Sequence, residues 1–190
     1  SSDLDLFHRV LGYNSVRDQA EADFGSSIVE DLNGHGTHVS GIAAGSYASG
    51  APVYRGVANK AGIVMVNVFG AQGGAYTSDI IRGLQYIESL VSTNNNPYHI
   101  DAINMSLGGN TLYTDPCDTD SEKPIIDLLR SEGVLTVIAA GNNSSTSKMS
   151  SPACISSAVS VAATSKSGVV SSYSNINPYT TIFAPGEIGR

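Results

Sequence analysis

GIVMVNVFGAQGGAYTSDIIRGLQYIESLV, residues 62–91, carries the two periods that decide the fold. Residues 62–69 are an almost unbroken apolar run rich in Val, the pattern of a buried strand. Ser78 is placed as the N-cap of a helix. Ile80, Leu84, Ile87 and Val91 then recur at spacings of four, three and four, which puts them on one face of that helix. A buried strand feeding an amphipathic helix is the unit of parallel sheets, because a parallel neighbour needs a crossover connection.

The alternation continues downstream. Asn94, Asn95, Asn96 and Pro97 end the helix, and residues 101–107 (DAINMSL) read as a second strand closed by Gly108 and Gly109. An acidic stretch over 115–122 leads into a helix over 124–132, with Ile125, Ile126, Leu128 and Leu129 on its apolar side and Gly133 suited to the C′ position. Residues 134–140 (VLTVIAA) read as a third strand, 144–151 as a Ser-rich loop, 158–164 as a fourth strand and 180–184 as a short fifth. In the first thirty residues only 9–13 reads as a strand. The expected fold is α/β, with a mostly parallel sheet and helices on both faces. No repeat or linker interrupts it, and 190 residues suit one domain.

Composition narrows the partners. Apolar residues make up 41% and charged residues 14%, which fits a packed globule and excludes a disordered charged chain. The net charge is −7 with no basic cluster, so nucleic acid and anionic membranes are not expected partners. No run of about 18 apolar residues is present to span a bilayer.

Three segments carry chemistry, each at the end of a strand or the start of a helix, where open α/β sheets place their sites. In NGHGTHVSGIAAG, residues 33–45, Gly34 and Gly36 bracket His35 and let the chain turn sharply, leaving the imidazole at a helix N-terminus. Val39, Ile42 and Ala43 are the expected buried stripe of that helix. His35 and His38 are three apart, but no Glu lies between them and no third His or Cys is near, so a metal site is not expected. His8, His38 and His99 are read as structural. In INMSLGG, residues 103–109, a strand runs into small residues with a free backbone edge, which suits pairing with an extended peptide. In AAGNN, residues 139–143, a strand ends at Gly141, and the Asn142 amide stands where it can donate to a developing oxyanion or simply complete a turn.

Taken together and in order, HGTHVSGIAAG, NMSLGG, VIAAGNN, SSPA, YSN and FAPG resemble the subtilase family over residues 30–187. The resemblance implies a subtilisin-like three-layer sandwich and a serine endopeptidase acting on polypeptides. It makes His35 the general base and Asn142 an oxyanion donor. Ser106, Leu107 and Gly108 become the strand that holds substrate backbone, and Ala139, Ala140 and Gly141 a wall of the S1 pocket. His38 falls on a position that is structural in the family and is expected to turn into the protein body. The small pocket residues suit a medium or large apolar P1 side chain.

The chain departs from the family in two motifs. G-T-S-M-A, which carries the nucleophile, and D-[ST]-G, which carries the catalytic aspartate, are both absent from these 190 residues. Asp3 and Asp5 lie near the expected separation from His35 but in the wrong context. The expectation is a catalytic domain truncated at both ends, its aspartate segment before residue 1 and its serine segment after residue 190, and inactive alone. The alternative is a non-catalytic homologue that binds peptides or a partner. His35 and Asn142 are expected within roughly 9 Å in a competent site, the sum of base, nucleophile, carbonyl and donor contacts.

The family's secreted habit favours a disulfide between Cys117 and Cys154, whose loops follow strands ending on one side of the sheet; two buried thiols are the alternative. No cofactor is required. Structural calcium is possible because the family often binds it, and Asp115, Asp118, Asp120 and Glu122 supply oxygens, although a solvated acidic loop is the simpler reading. A monomer in a secreted, extracellular setting completes the expectation.

Overall fold

The computed structural model describes residues 8–20, 27–46, 55–70 and 73–187. Asp3 and Asp5 therefore lie outside the described residues, as does the His8 side chain. The chain divides into two compact units, Ser1–Tyr86 and Ile87–Arg190.

In the first unit, β1 (His8–Asn14) and β3 (Gly62–Asn67) pair in parallel, and the two-residue β2 (Gln19–Ala20) adds to β1 antiparallel, giving the order β2-β1-β3. The strand expected over 62–69 is present but half-buried rather than buried, because β3 is an edge strand among the described residues. α1 spans His35–Ala44 and α2 spans Thr77–Ser92. α2 therefore begins one residue before Ser78, and the Tyr76 carbonyl accepts its first amides, from Asp79 (2.9 Å) and Ile80 (3.1 Å). α2 comes so close to β3 at Gly83 that a Cβ there would lie 2.9 Å from Val66 Cγ1. Below that contact Tyr13 stacks on Tyr86 at 4.1 Å, Ser15 Oγ donates to the Asp79 carbonyl, and Arg82 reaches the Ser15 carbonyl at 2.6 Å. Burial first, and then Asp18, which accepts the Tyr13 hydroxyl proton at 2.6 Å, push that phenol up to about 12. Ile80, Leu84, Ile87 and Val91 are all buried, so the periodicity identified the helix's inner face correctly.

In the second unit, β4 (Ala102–Met105), β6 (Leu135–Ala139), β8 (Val159–Thr164) and β9 (Ile182–Pro185) form a fully parallel sheet in that order. α3 (Lys123–Ser131) packs on β6. Ile126 and Leu129 are fully buried, whereas Leu128 is 43% exposed and belongs to the outer face. Pro124 opens α3, Gly133 at φ 89° turns the chain out, and the Val134 amide returns to the Leu129 carbonyl at 2.9 Å, which starts β6. The Ser-rich loop contains an element the sequence did not suggest. β7 (Met149–Ser150) pairs antiparallel with β5 (Leu112–Tyr113), through only two residues each. Cys117 and Cys154 form a disulfide with a Cα separation of 5.3 Å, inside the range a bridge requires. The architecture is α/β, as the alternation of periods predicts. Among the described residues no helix is long and apolar enough to cross a membrane.

Candidate active site

His35 is the first residue of α1 and is exposed. Gly34 before it adopts φ 89°, a conformation that β-carbons disfavour, so the first glycine makes the turn as read, whereas Gly36 lies in the helix without a positive φ. The turn is fixed by Asp31, a residue the motif reading passed over. Its Oδ1 accepts the amides of Asn33 (3.0 Å) and Gly34 (2.8 Å), and its Oδ2 accepts that of Thr37 (2.7 Å). Thr37 is the third residue of α1, so Asp31 performs an N-cap's task from upstream. Burial alone would raise the Asp31 carboxyl, but the amides of Thr37, Gly34 and Asn33 outweigh it and hold it below the ordinary carboxylate range. An Asp three residues before a G-H-G turn was the available signal.

At the far end of α1 the carbonyls of Ile42, Ala43 and Gly45 accept the amides of Val57, Ala58 and Gly56 at 2.8–3.0 Å. A Cβ at Gly56 would lie 2.4 Å from the Gly45 nitrogen, so this closure needs glycine. The buried face of α1 is Ser40 and Ala44, not Val39, Ile42 and Ala43; Ile42 is 57% exposed. His38 is exposed as well, which corrects the expectation that it turns inward. Residues 38 and 42 lie about 200° around the helix from 40 and 44, so burying one pair exposes the other. His99 is exposed in the loop before β4, at φ 50°.

The other predicted residues meet in the second unit. β4 and β6 pair with Met105 opposite Ile138, so residues 106–108 leave the sheet beside Ala139, the last residue of β6, and the 140–141 segment that follows it. Ser106 and Leu107 are half-buried, Gly108 exposed, Ala139 half-buried, Ala140 buried and Gly141 half-buried. β4 has no partner on its other edge among the described residues. The Gly109 amide donates to the Ser151 carbonyl at 2.8 Å, which ties the Gly pair to the segment before Pro152.

Beyond β6, Gly141 turns at φ 106°, where a Cβ would lie 2.2 Å from Ser150 Oγ and 2.4 Å from Asn175 Nδ2. Asn142 comes next, exposed. Asn175 lies beneath, with no exposed surface. Its role was not legible in the sequence, where it stands only as the last letter of YSN.

In the acidic stretch Asp115 and Asp118 are exposed, while Asp120 is half-buried and Glu122 buried. Asp118 accepts Ser156 N (2.9 Å) and Ser156 Oγ (2.7 Å), bonds that lower its pKa. Asp120 accepts Ser151 Oγ and the Glu122 amide. Glu122 is only 3% exposed; burial first, and then Asp120, push its carboxyl up to about 7. Among the described residues no three His, Cys, Asp or Glu side chains gather as a metal site would need.

A sequence profile described as the subtilase family matches residues 5–189. This chain belongs to the subtilase family. The subtilase is 35% identical to proteinase T of Parengyodontium album over 82% of its own length and 48% of that protein, and 32% identical to the major intracellular serine protease of Bacillus subtilis over 98% and 54%. Its fold matches a cold-adapted subtilisin-like serine proteinase at TM-score 0.69 and 33% identity, covering 94% of this chain and 56% of that one. The subtilase chain thus spans about half the length of the curated relatives it matches.

Proposed function

We propose that this subtilase is a serine-type endopeptidase that cleaves polypeptides through an acyl-enzyme. His35 acts as the general base, taking the serine proton and returning it to the leaving amine. Asn142 donates its side-chain amide to the tetrahedral oxyanion. Residues Ser106, Leu107 and Gly108 hold substrate backbone in the segment that follows β4, and Ala139, Ala140 and Gly141 wall the P1 side chain. The nucleophile and the catalytic aspartate are supplied by sequence other than these 190 residues, which contain neither motif.

The observation that carries the reading is the Gly141 turn. It follows the parallel strand β6, exposes Asn142, and lies beside the end of β4, which runs on into Ser106, Leu107 and the Gly108-Gly109 pair. The protein acts as a monomer and without a cofactor. We propose a secreted setting, supported by the disulfide, although one relative is named as intracellular.

A fluorogenic peptide assay tests this. The whole protein is expected to turn over substrate and to lose activity to a serine-directed phosphonate, while residues 1–190 alone show no turnover. No turnover by the whole protein, together with tight peptide binding, would favour the non-catalytic alternative. Phosphonate-sensitive turnover by residues 1–190 alone would contradict the assignment of the nucleophile.

A further inference from the structure

We infer that Asn175 is a positioning residue for the reaction, acting through the turn that carries Asn142; this rests on the proposed role of Asn142. Asn175 Oδ1 accepts the amides of Asn143 (2.9 Å) and Ser145 (3.1 Å). Its Nδ2 donates to Asn143 Oδ1 (3.0 Å), Ser150 Oγ (3.1 Å) and the Ala140 carbonyl (3.2 Å), two protons shared among three acceptors. Its own backbone amide donates to the Gly141 carbonyl at 2.9 Å. One side chain and its backbone therefore engage residues 140, 141, 143 and 145, on both sides of Asn142.

The neighbours of Asn175 complete the clamp. The Ser144 amide donates to the Tyr173 carbonyl (2.9 Å), and the Ile176 amide to the Ser145 carbonyl (2.8 Å). Residues 173–176 thus bracket 140–145 in extended contact, and Asn142 projects from the exposed turn between them. Rigidity here has chemical value. An oxyanion donor lowers the barrier only if it is already aimed when charge develops, because any reorganisation at that moment subtracts from the stabilisation. An unpaired buried amide is costly, so the saturated bonding of Asn175 favours one arrangement of the turn over its alternatives. No other side chain of a single residue can supply both the oxygen for two amides and the protons for three acceptors at this volume; Asp lacks the protons and Leu lacks both.

The test uses the whole protein. Asn175→Ala is expected to lower kcat on the order of 10- to 100-fold with KM changed no more than a few-fold. In an Asn142→Ala background the same substitution is expected to change kcat less than about 2-fold, because the group it positions is gone. An equal factor in both backgrounds would mean a general structural role and overturn the inference. Asn175→Asp keeps the volume and the oxygen that holds both amides; it is expected to retain more kcat than Asn175→Ala, and equal loss counts against the inference. Amide hydrogen exchange reads the clamp without activity. Protection at Asn143 and Ser145 is expected to vanish in Asn175→Ala while that in β6 and β8 persists, and unchanged protection there overturns the clamp. The two readings fail differently: Asn142→Ala with unaltered kcat removes the role of Asn142, whereas unaltered exchange removes that of Asn175.

Discussion

The turn at His35 and the turn at Asn142 have the same local plan. Each uses a glycine at positive φ, each stands at the end of a regular element, and each exposes one polar side chain. Their anchors differ. Asp31, a partly exposed carboxylate, holds the first turn by accepting three backbone amides. Asn175, a neutral amide with no exposed surface, holds the second by both accepting and donating. Their surroundings differ in the same sense. α1 buries only Ser40 and Ala44, while the second unit has Ile126, Leu129, Val134, Ile138, Met149 and Ile155 at 0–2% exposure and a disulfide. A titratable anchor makes the geometry of one turn depend on pH. A buried neutral anchor makes the other depend on packing.

The roles proposed for the two turns predict unequal losses. Replacing His35 by Ala in the whole protein is expected to cost about 10⁶ in kcat, a magnitude taken from subtilisin itself and not from this structure. A loss below about 10² would break the comparison at its first term. The next effect is on stability in the second unit. Cys117→Ser with Cys154→Ser is expected to cost roughly 3–4 kcal/mol, the chain-entropy contribution of a loop this long. Denaturant titration measures it, and a cost under about 1 kcal/mol would show that the apolar core alone supports this region.

Glu122 then sharpens the contrast, because it is a buried carboxyl in the same unit as the neutral anchor Asn175. Its folded pKa of about 7 stands above the ordinary 4.5, so its contribution is fully present below about pH 4.5 and is lost as pH rises through 7. Glu122→Gln is expected to match the parent near pH 4.5 and to exceed it above pH 7 by on the order of 1–3 kcal/mol, read as thermal midpoints across that range. Asp31 has the opposite sign and the smallest effect. Its depressed pKa makes its contribution present above the unfolded value and lost as pH falls through the folded one. Asp31→Ala is expected to cost about 1 kcal/mol at pH 7 and less under acid, where the parent carboxyl is also protonated.

Periodic features were legible in the sequence and reciprocal ones were not. Ile80, Leu84, Ile87 and Val91 declare a helix face because each repeats the others' environment, and 134–140 declares a strand for the same reason. The inner face of α1 was misassigned because its thirteen-residue motif offers apolar side chains on more than one side, and the small residues Ser40 and Ala44 took the interior instead of Ile42. β5 and β7, with two residues each, are too short for any period to mark. Of the candidate site, the glycine turns at His35 and Asn142 could be read directly, since few residues but glycine adopt their φ. Asp31 was readable as a capping residue had its distance from α1 been considered. Asn175 was not readable, because its partners lie 25 to 35 positions away and only the folded chain brings them together.

In the proposed mechanism the Gly141 turn presents a pre-aimed oxyanion donor. Steady-state kinetics of Asn142→Leu in the whole protein tests it most directly. The expected result is kcat lower by about 10²–10³, the range known for subtilisin's own side-chain donor, with KM within a few-fold, because the bond is made only in the transition state. Unchanged kcat, or a loss confined to KM, would contradict it.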